Sequence, residues 1–223
     1  MKIKHLIFLA VTQLCFVANA QDKTLDPVEF VNPLMGTQSL HSLSNGNTYP
    51  AICRPWGMNF WTPQTGKMGD GWAYIYTAEK IRGFKQTHQP SPWMNDYGQF
   101  SIMPVTGKLA FAEADRASWF SHKAEVSKPY YYSVYLADYD VTTEITATER
   151  AAHFQITFPE NEKSSLIKVR TSKVSHQKIK SSVIRLAIVE VFLPISKTIL
   201  YWFLINLLLH NQHGMIQACK KTN

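Results

Sequence analysis

The segment YYYSVYLADYDVTTEITA, residues 130–147, predicts two β-strands joined by a tight reversal. Tyr130–Leu136 consists largely of aromatic and β-branched residues, and Val141–Ala147 has the period-two character of a half-buried strand. Asp138–Asp140 supplies the reversal between them. The segment therefore predicts an antiparallel hairpin and indicates an all-β protein.

Sequence on both sides of this hairpin extends the pattern. Between residues 30 and 67, turn residues recur so often that short strands fit and a long helix does not. Further strands are predicted at Gly57–Trp61, Trp72–Thr77, Gly98–Met103 and His153–Phe158. The expected fold is all-β, an incomplete antiparallel β-sandwich, followed by a C-terminal tail for which a helix is one of the structures considered.

The first twenty residues have the layout of a secretory signal peptide. Lys2 and Lys4 form a basic start, Leu6–Val11 is apolar, and small residues precede Gln21. We therefore expect residues 1–20 to be a signal peptide and the mature chain to be exported, to the periplasm or the extracellular space.

The charge distribution divides the rest of the chain. The net charge is +7, yet residues 21–164 carry 12 basic and 15 acidic residues, whereas residues 165–223 carry 9 basic residues and the single acid Glu190. A basic tail joined to a slightly acidic body argues against nucleic acid as a partner. The composition shift predicts a partial sandwich domain at 21–164 and a divergent tail at 165–223.

The tail contains an apolar run, Ser182–Leu209, whose densest part is Ile199–Leu209. Eleven residues are too few to cross a hydrocarbon core that needs about twenty. A longer span would include Arg185 and Glu190. A membrane partner is therefore not expected, although anchoring through 199–209 stays an alternative beside an interfacial helix, a core helix or a non-native tail.

Two cysteines remain once the predicted leader is removed, Cys53 and Cys219. They could pair only if the tail folds back on the domain. No zinc-binding spacing is present.

The densest polar and aromatic patch is Gly83–Gly98, in which two prolines favour an open, stiffened loop. Such a loop suits a sugar, because the ring of Trp93 covers C–H faces while Asn95 and Asp96 reach neighbouring hydroxyls. His88 belongs to the same loop. The alternatives are that Trp93 is a core residue and that His88 is an ordinary loop histidine.

A second patch, Asn45–Tyr49, has similar character, with a structural turn as its alternative. The carbohydrate-binding candidates are therefore Asn45, Asn47, Thr48, His88, Trp93, Asn95 and Asp96. No catalytic or metal-binding residue is predicted: Asp96 with Glu79 or Asp70 could form a carboxyl pair, but their spacing does not select them. Asp70 alone is weak grounds for calcium, which takes six to eight oxygens.

At this point the residues resemble a known family. The run Phe30–Thr37, followed by Asn45–Ala51 and Pro55–Met58, resembles the opening of glycoside hydrolase family 92. Further blocks match in order: Ile81–Phe84, Thr87-His88, Asp96–Gly98 and Met103–Gly107.

The resemblance implies the N-terminal β-sandwich of a calcium-dependent exo-acting α-mannosidase that inverts configuration. In that family the sandwich packs on an (α/α)6 catalytic domain, which supplies the acid, the base and most calcium ligands. No calcium is therefore expected for this chain alone. The sandwich lends loops to the sugar pocket, and here these would be Asn45–Tyr49 and His88–Asp96, contacting a mannose-containing glycan.

The resemblance fades after Phe158–Lys163, which favours a frameshift or a gene-fragment end over a genuine alternative tail for 165–223. The expected function is an N-terminal, carbohydrate-binding fragment of a secreted α-mannosidase without turnover of its own. The alternatives are a free-standing secreted lectin-like module and the membrane-anchored protein.

Overall fold

The computed structural model describes residues 26–38, 42, 48–55, 57, 59–67, 74–87, 100–160, 163–170, 173–193 and 200–208. The chain divides after Phe30 into two compact units. In the first, Pro27–Phe30 forms a 3-10 helical turn. The second unit contains every described strand.

One sheet of the second unit has five strands, all antiparallel to their neighbours. In spatial order these are β1 (Phe60–Gln64), β3 (Gly83–Thr87), β4 (Phe100–Thr106), β10 (Ser164–Arg170) and β11 (Lys173–Ile179). Strand β10 is paired on both sides: Leu166 lies opposite Pro104 of β4 and opposite Gln177 of β11.

The other large sheet has six antiparallel strands. In spatial order these are β13 (Leu200–Leu208), β12 (Val183–Leu193), β9 (Ala151–Thr157), β8 (Val141–Ala147), β7 (Tyr131–Leu136) and β6 (Val126–Lys128). A two-stranded ribbon pairs β2 (Lys80–Ile81) with β5 (Ser118–Trp119). A 3-10 turn, His122–Ala124, precedes β6 and is capped by Ser121.

The core lies between the two large sheets. Strand β8 alternates buried and partly buried residues, and β9 does the same, so each contributes one apolar face. Aromatic rings meet across the gap: Trp61 packs edge-on to Phe154 with ring centroids 4.8 Å apart, and Phe84 approaches Tyr132 at 6.3 Å. These contacts define a β-sandwich, which confirms the predicted fold class.

The hairpin at residues 130–147 is confirmed closely. Strand β8 has the predicted bounds, and β7 differs by one residue. Leu136 lies opposite Val141, and the reversal between them places Asp140 at φ +52°. Aspartate tolerates this left-handed conformation better than a β-branched residue does.

The other predicted strands were less accurate. Strand β1 lies three residues later than predicted, and the described part of Trp72–Thr77, residues 74–77, is loop and turn. The prediction of an open loop throughout Gly83–Gly98 was wrong at Gly83–Thr87, which is strand β3. The sequence did not indicate this strand, because Lys85 and Gln86 are polar and become buried only through tertiary packing.

The prediction that the tail could be helical was wrong for its described residues. Strands β10, β11, β12 and β13 all begin at or after Ser164, and β12 pairs with β9 through Ile184 opposite Ile156. The boundary predicted at residue 164 therefore falls at the first residue of β10, a strand that is paired on both sides. An apolar run such as 183–193 has no periodicity that separates a buried strand from a helix, so the pairing partner decides.

Among the described residues, we find no helix that is long and apolar enough to cross a membrane.

Candidate functional site

The first predicted sugar-binding loop connects two neighbouring strands of the five-stranded sheet. Strand β3 ends at Thr87 and β4 begins at Phe100, with Phe84 opposite Ile102. Four candidates, His88, Trp93, Asn95 and Asp96, belong to this connection and lie outside the described residues. Their role stays a prediction, while both ends of the loop are placed.

The second patch is described from Thr48 onward, so Asn45 and Asn47 are also outside the described part. Thr48 is exposed and lies against the turn at Gly36. Gly36 has φ +82°, and a Cβ there would be 2.9 Å from Thr48 Oγ1. Only glycine fits this turn without displacing Thr48.

A side-chain hydrogen bond joins the two patches. Tyr49 is buried, and its side chain is bonded to that of Thr87, the last residue of β3. Burial raises the pKa of the Tyr49 hydroxyl, which therefore keeps its proton at neutral pH. The structure thus brings one end of each predicted sugar-binding segment together at the C-terminal end of strand β3.

Beneath this end lies a buried group of amides and an indole. Asn59 Oδ1 accepts hydrogen bonds from Trp61 Nε1 at 3.1 Å and from Gln86 Nε2 at 2.8 Å. Asn59 Nδ2 is buried and has no hydrogen-bond partner within the described part of the chain. Because buried donors are nearly always paired, this amide is an unusual feature at the base of the two loops.

Cys53 lies close to the same end. Its backbone N–H donates to the Pro129 carbonyl at 3.0 Å, and burial raises the pKa of its thiol. Cys53 forms no disulfide within the described residues, and Cys219, with which it could pair only if the tail folds back, lies outside them.

A buried carboxylate, missed by the sequence analysis, stands at the edge of the other sheet. The Glu125 side chain is 0% exposed. Its Oε1 accepts from the hydroxyls of Tyr132 at 2.6 Å and Tyr74 at 3.0 Å, and its Oε2 faces His122 Nδ1 at 2.5 Å. These residues are far apart in sequence and form no motif.

The geometry restricts the protons of this cluster. His122 Nε2 lies 2.7 Å from the Tyr76 carbonyl oxygen, which can only accept, so Nε2 carries a proton. A second proton lies between Nδ1 and Oε2, and the His122–Glu125 pair is neutral overall. Burial and Glu125 raise the pKa of both Tyr74 and Tyr132. The carboxylate thus joins the 3-10 turn, β7 and the segment at Tyr74 through hydrogen bonds.

A buried arginine secures the ribbon. Arg116 is 1% exposed, and its guanidinium donates to the carbonyls of Arg82 at 3.0 Å and Phe111 at 2.7 Å, with Glu113 at 3.3 Å. Desolvation lowers its pKa, partly offset by Glu113. Arg116 connects three backbone segments around β2 and β5.

The described residues contain no group of three or more His, Cys, Asp or Glu side chains that could hold a metal ion. Of the carboxyl groups considered for catalysis, Asp70 and Asp96 are not among the residues placed by the structure.

Comparison with known proteins defines the class of this sandwich. Residues 30–190 match the glycosyl hydrolase family 92 N-terminal domain. The match covers more than half of the chain, which therefore belongs to glycoside hydrolase family 92. It reaches residue 190, well past the point near residue 164 at which the sequence resemblance was expected to end.

Solved structures support the same assignment. A family 92 inverting mannosidase from Bacteroides thetaiotaomicron is 40% identical with a TM-score of 0.62, and the match covers 80% of this chain and 28% of the mannosidase. A family 92 α-mannosidase from the same bacterium, solved with mannoimidazole, is 25% identical with a TM-score of 0.56, covering 73% and 25%.

A curated relative, an uncharacterized secreted glycosidase of Arthroderma benhamiae, is 24% identical over 147 residues, which is 63% of this chain and 18% of the relative. The chain thus spans about a quarter of the length of the two solved mannosidases and less of the curated relative.

Proposed function

We propose that this chain is the N-terminal domain of an exported α-mannosidase and that its segments Asn45–Tyr49 and His88–Asp96 contact a mannose-containing glycan. The observation that carries the proposal is the match of residues 30–190 to the family 92 N-terminal domain, and the side-chain bond between Tyr49 and Thr87 adds support because it brings the ends of both loops together. Loops positioned in this way on a scaffold commonly carry binding residues.

The residue types in the loops suit a sugar. Trp93 offers an apolar ring for C–H faces, and Asn95 and Asp96 offer acceptors and donors for adjacent hydroxyls. Asn45, Asn47, Thr48 and His88 complete the proposed contact set.

Turnover is proposed to require residues outside this chain. Support comes from coverage, since the inverting mannosidase is matched over only 28% of its length. The (α/α)6 catalytic domain and the calcium ion of a complete enzyme would supply that chemistry.

Export is proposed from two observations. Residues 1–20 have the layout of a signal peptide, and the curated relative is a secreted glycosidase. Recovery of the chain, cleaved near Gln21, from the periplasm or medium would test this.

The binding proposal is tested with the purified chain and methyl α-mannoside or an immobilised high-mannose glycan. Trp93→Ala should weaken binding about tenfold, equivalent to about 1.4 kcal/mol, through loss of the ring platform. Trp119→Ala is the matched control, because Trp119 is exposed on the β2–β5 ribbon.

Equal effects of the two tryptophan substitutions would contradict the binding proposal. An α-mannosidase assay on the same preparation should detect no release of mannose. Release that survives removal of contaminating enzymes would contradict the proposed need for the catalytic domain.

A further inference from the structure

The outward face of the six-stranded sheet carries a concavity of about 310 Å³, here called the outer-sheet pocket. Its polar lining comes from Tyr131, Thr146, Glu144, His153, Gln155 and Arg185. These residues belong to β7, β8, β9 and β12. Ile145, Phe154 and Leu186, their neighbours along the chain, are buried in the core, so the polar side chains project from the opposite face.

Four of these side chains form a continuous hydrogen-bonded row. Tyr131 hydroxyl donates to Glu144 Oε1 at 2.6 Å, and Gln155 Nε2 donates to Glu144 Oε2 at 2.7 Å. Arg185 Nε donates to Gln155 Oε1 at 2.9 Å. The row is built on paired strands, with Glu144 opposite Gln155 and Gln155 opposite Arg185, so its spacing is set by the sheet. Such a site is preorganised, which lowers the cost of binding.

Several atoms lining the pocket can still form hydrogen bonds with a ligand. Each Glu144 oxygen uses one donor and can accept another. Within the described residues, neither terminal nitrogen of Arg185 nor the ring of His153 has a hydrogen-bond partner. Burial and Glu144 raise the pKa of Tyr131, so its hydroxyl stays protonated and keeps donating. The pocket thus offers donors and acceptors to a ligand within a lining that is mostly apolar.

The charges in the pocket select the class of ligand. Glu144 repels an anion and Arg185 repels a cation, so the two charges of the lining oppose each other. A neutral molecule with several hydroxyl groups meets both charges favourably, because each hydroxyl donates to the carboxylate or accepts from the guanidinium. A volume of about 310 Å³ is at the lower end of the range for small-molecule sites, about 300–1,000 Å³.

From this geometry we infer that the outer-sheet pocket is a second carbohydrate-binding site, which takes one neutral sugar unit on the row Tyr131–Glu144–Gln155–Arg185. The pocket lies on strands of the six-stranded sheet, whereas the loop His88–Asp96 follows β3 of the five-stranded sheet and Tyr49 is bonded to the last residue of β3. The choice of a sugar over another neutral polyol rests on the proposed function; the pocket and its charge selectivity do not.

The test measures binding to the full chain by calorimetry and NMR with methyl α-mannoside, glucuronate and glucosamine. We expect methyl α-mannoside to bind more tightly than the anion or the cation. In a Trp93→Ala background, Arg185→Ala and Glu144→Gln should each weaken mannoside binding at least fivefold. Arg185 is exposed, so its truncation leaves the fold intact, and an unchanged melting curve checks this.

A matched pair of tyrosines gives the control. Tyr131→Phe removes a hydroxyl bonded to Glu144, and Tyr135→Phe removes one bonded to Asp140 on the same face at 2.8 Å. The first should weaken binding and the second should not.

Three outcomes would overturn the inference: no effect of Arg185→Ala and Glu144→Gln, equal effects of the two tyrosine substitutions, or tighter binding of glucuronate or glucosamine. If Trp93→Ala alone abolishes binding, the second site fails while the loop proposal stands. If Trp93→Ala has no effect and Arg185→Ala abolishes binding, the loop proposal fails and the second site stands.

Discussion

The substitution Glu125→Gln is the most informative perturbation of this fold. The glutamine amide has nearly the same shape, but it carries no charge and replaces one acceptor by a donor. Because Nε2 of His122 carries a proton, the glutamine amide can donate to Nδ1 while its oxygen accepts from both tyrosine hydroxyls, so the substitution removes the charge that strengthens these bonds. The free energy of unfolding should fall because these partners are fixed by β7, the 3-10 turn and the segment at Tyr74.

The magnitude follows from the hydrogen bonds. Bonds to a charged group contribute about 1.5–3 kcal/mol and neutral ones about 0.5–1.5 kcal/mol, so each tyrosine bond loses about 1 kcal/mol. The two tyrosine bonds together give a loss of about 2 kcal/mol. For a chain of this size the melting temperature should fall by about 4–8 °C.

Urea unfolding followed by circular dichroism measures the change, with an unchanged slope indicating the same surface exposed. Asp140→Asn is the matched control. Asp140 also accepts from a tyrosine hydroxyl, that of Tyr135 at 2.8 Å, but this pair is exposed. Asparagine tolerates the positive φ of this position, so the control should change stability by less than about 0.5 kcal/mol.

A loss below about 1 kcal/mol for Glu125→Gln would refute the argument that this cluster holds the sheet edge. If that variant does not fold, Tyr132→Phe tests the same cluster with one hydrogen bond removed at 2.6 Å, and it should cost about 1.5–3 kcal/mol.

Three further predictions follow from the packing. Gly83→Ala should cost about 1–3 kcal/mol in urea unfolding, because its Cβ would collide with Ser101 Oγ; Ser101→Ala in the same chain should recover part of this, and no recovery would contradict the clash. Arg116→Met should cost about 1–3 kcal/mol for each backbone carbonyl left unpaired, whereas Glu113→Gln should change little; equal losses would refute the role of the carbonyls. The contribution of Tyr132 to the free energy of unfolding should be constant below about pH 10 and fall at higher pH, because tyrosine ionises there in the unfolded chain while buried Tyr132, whose pKa is raised, keeps its proton. Tyr132→Phe should flatten this decline when unfolding is measured as a function of pH.

Local pattern was sufficient where one face of a strand is buried and the other is not. Strand β8 alternates buried and partly buried positions, and its predicted bounds, Val141–Ala147, are the observed ones. Strand β3 shows the opposite case. All its residues but Thr87 are buried, including Lys85 and Gln86, and no alternation marks it in the sequence.

The candidate sites differ in the same way. The loop residues from His88 to Asp96 are contiguous, so composition alone suggested them, and their role stays a prediction. The Glu125 cluster and the outer-sheet pocket are assembled from separated strands and turns. Tyr74 and Glu125 are far apart in the sequence but hydrogen-bonded, and Tyr131 and Arg185 line the same pocket. No local spacing of residues could therefore have indicated the Glu125 cluster or the outer-sheet pocket.

By itself, the sequence determined the all-β class, the hairpin at 130–147 and the family, because strand periodicity and ordered motifs are local properties. The tertiary structure alone decided that the described part of the tail forms β10, β11, β12 and β13, that Glu125 is buried against two tyrosines and a histidine, and that Glu144, Gln155 and Arg185 form a row. These features depend on which distant segments become neighbours, and pairing between strands is a non-local choice governed by burial of the whole sheet.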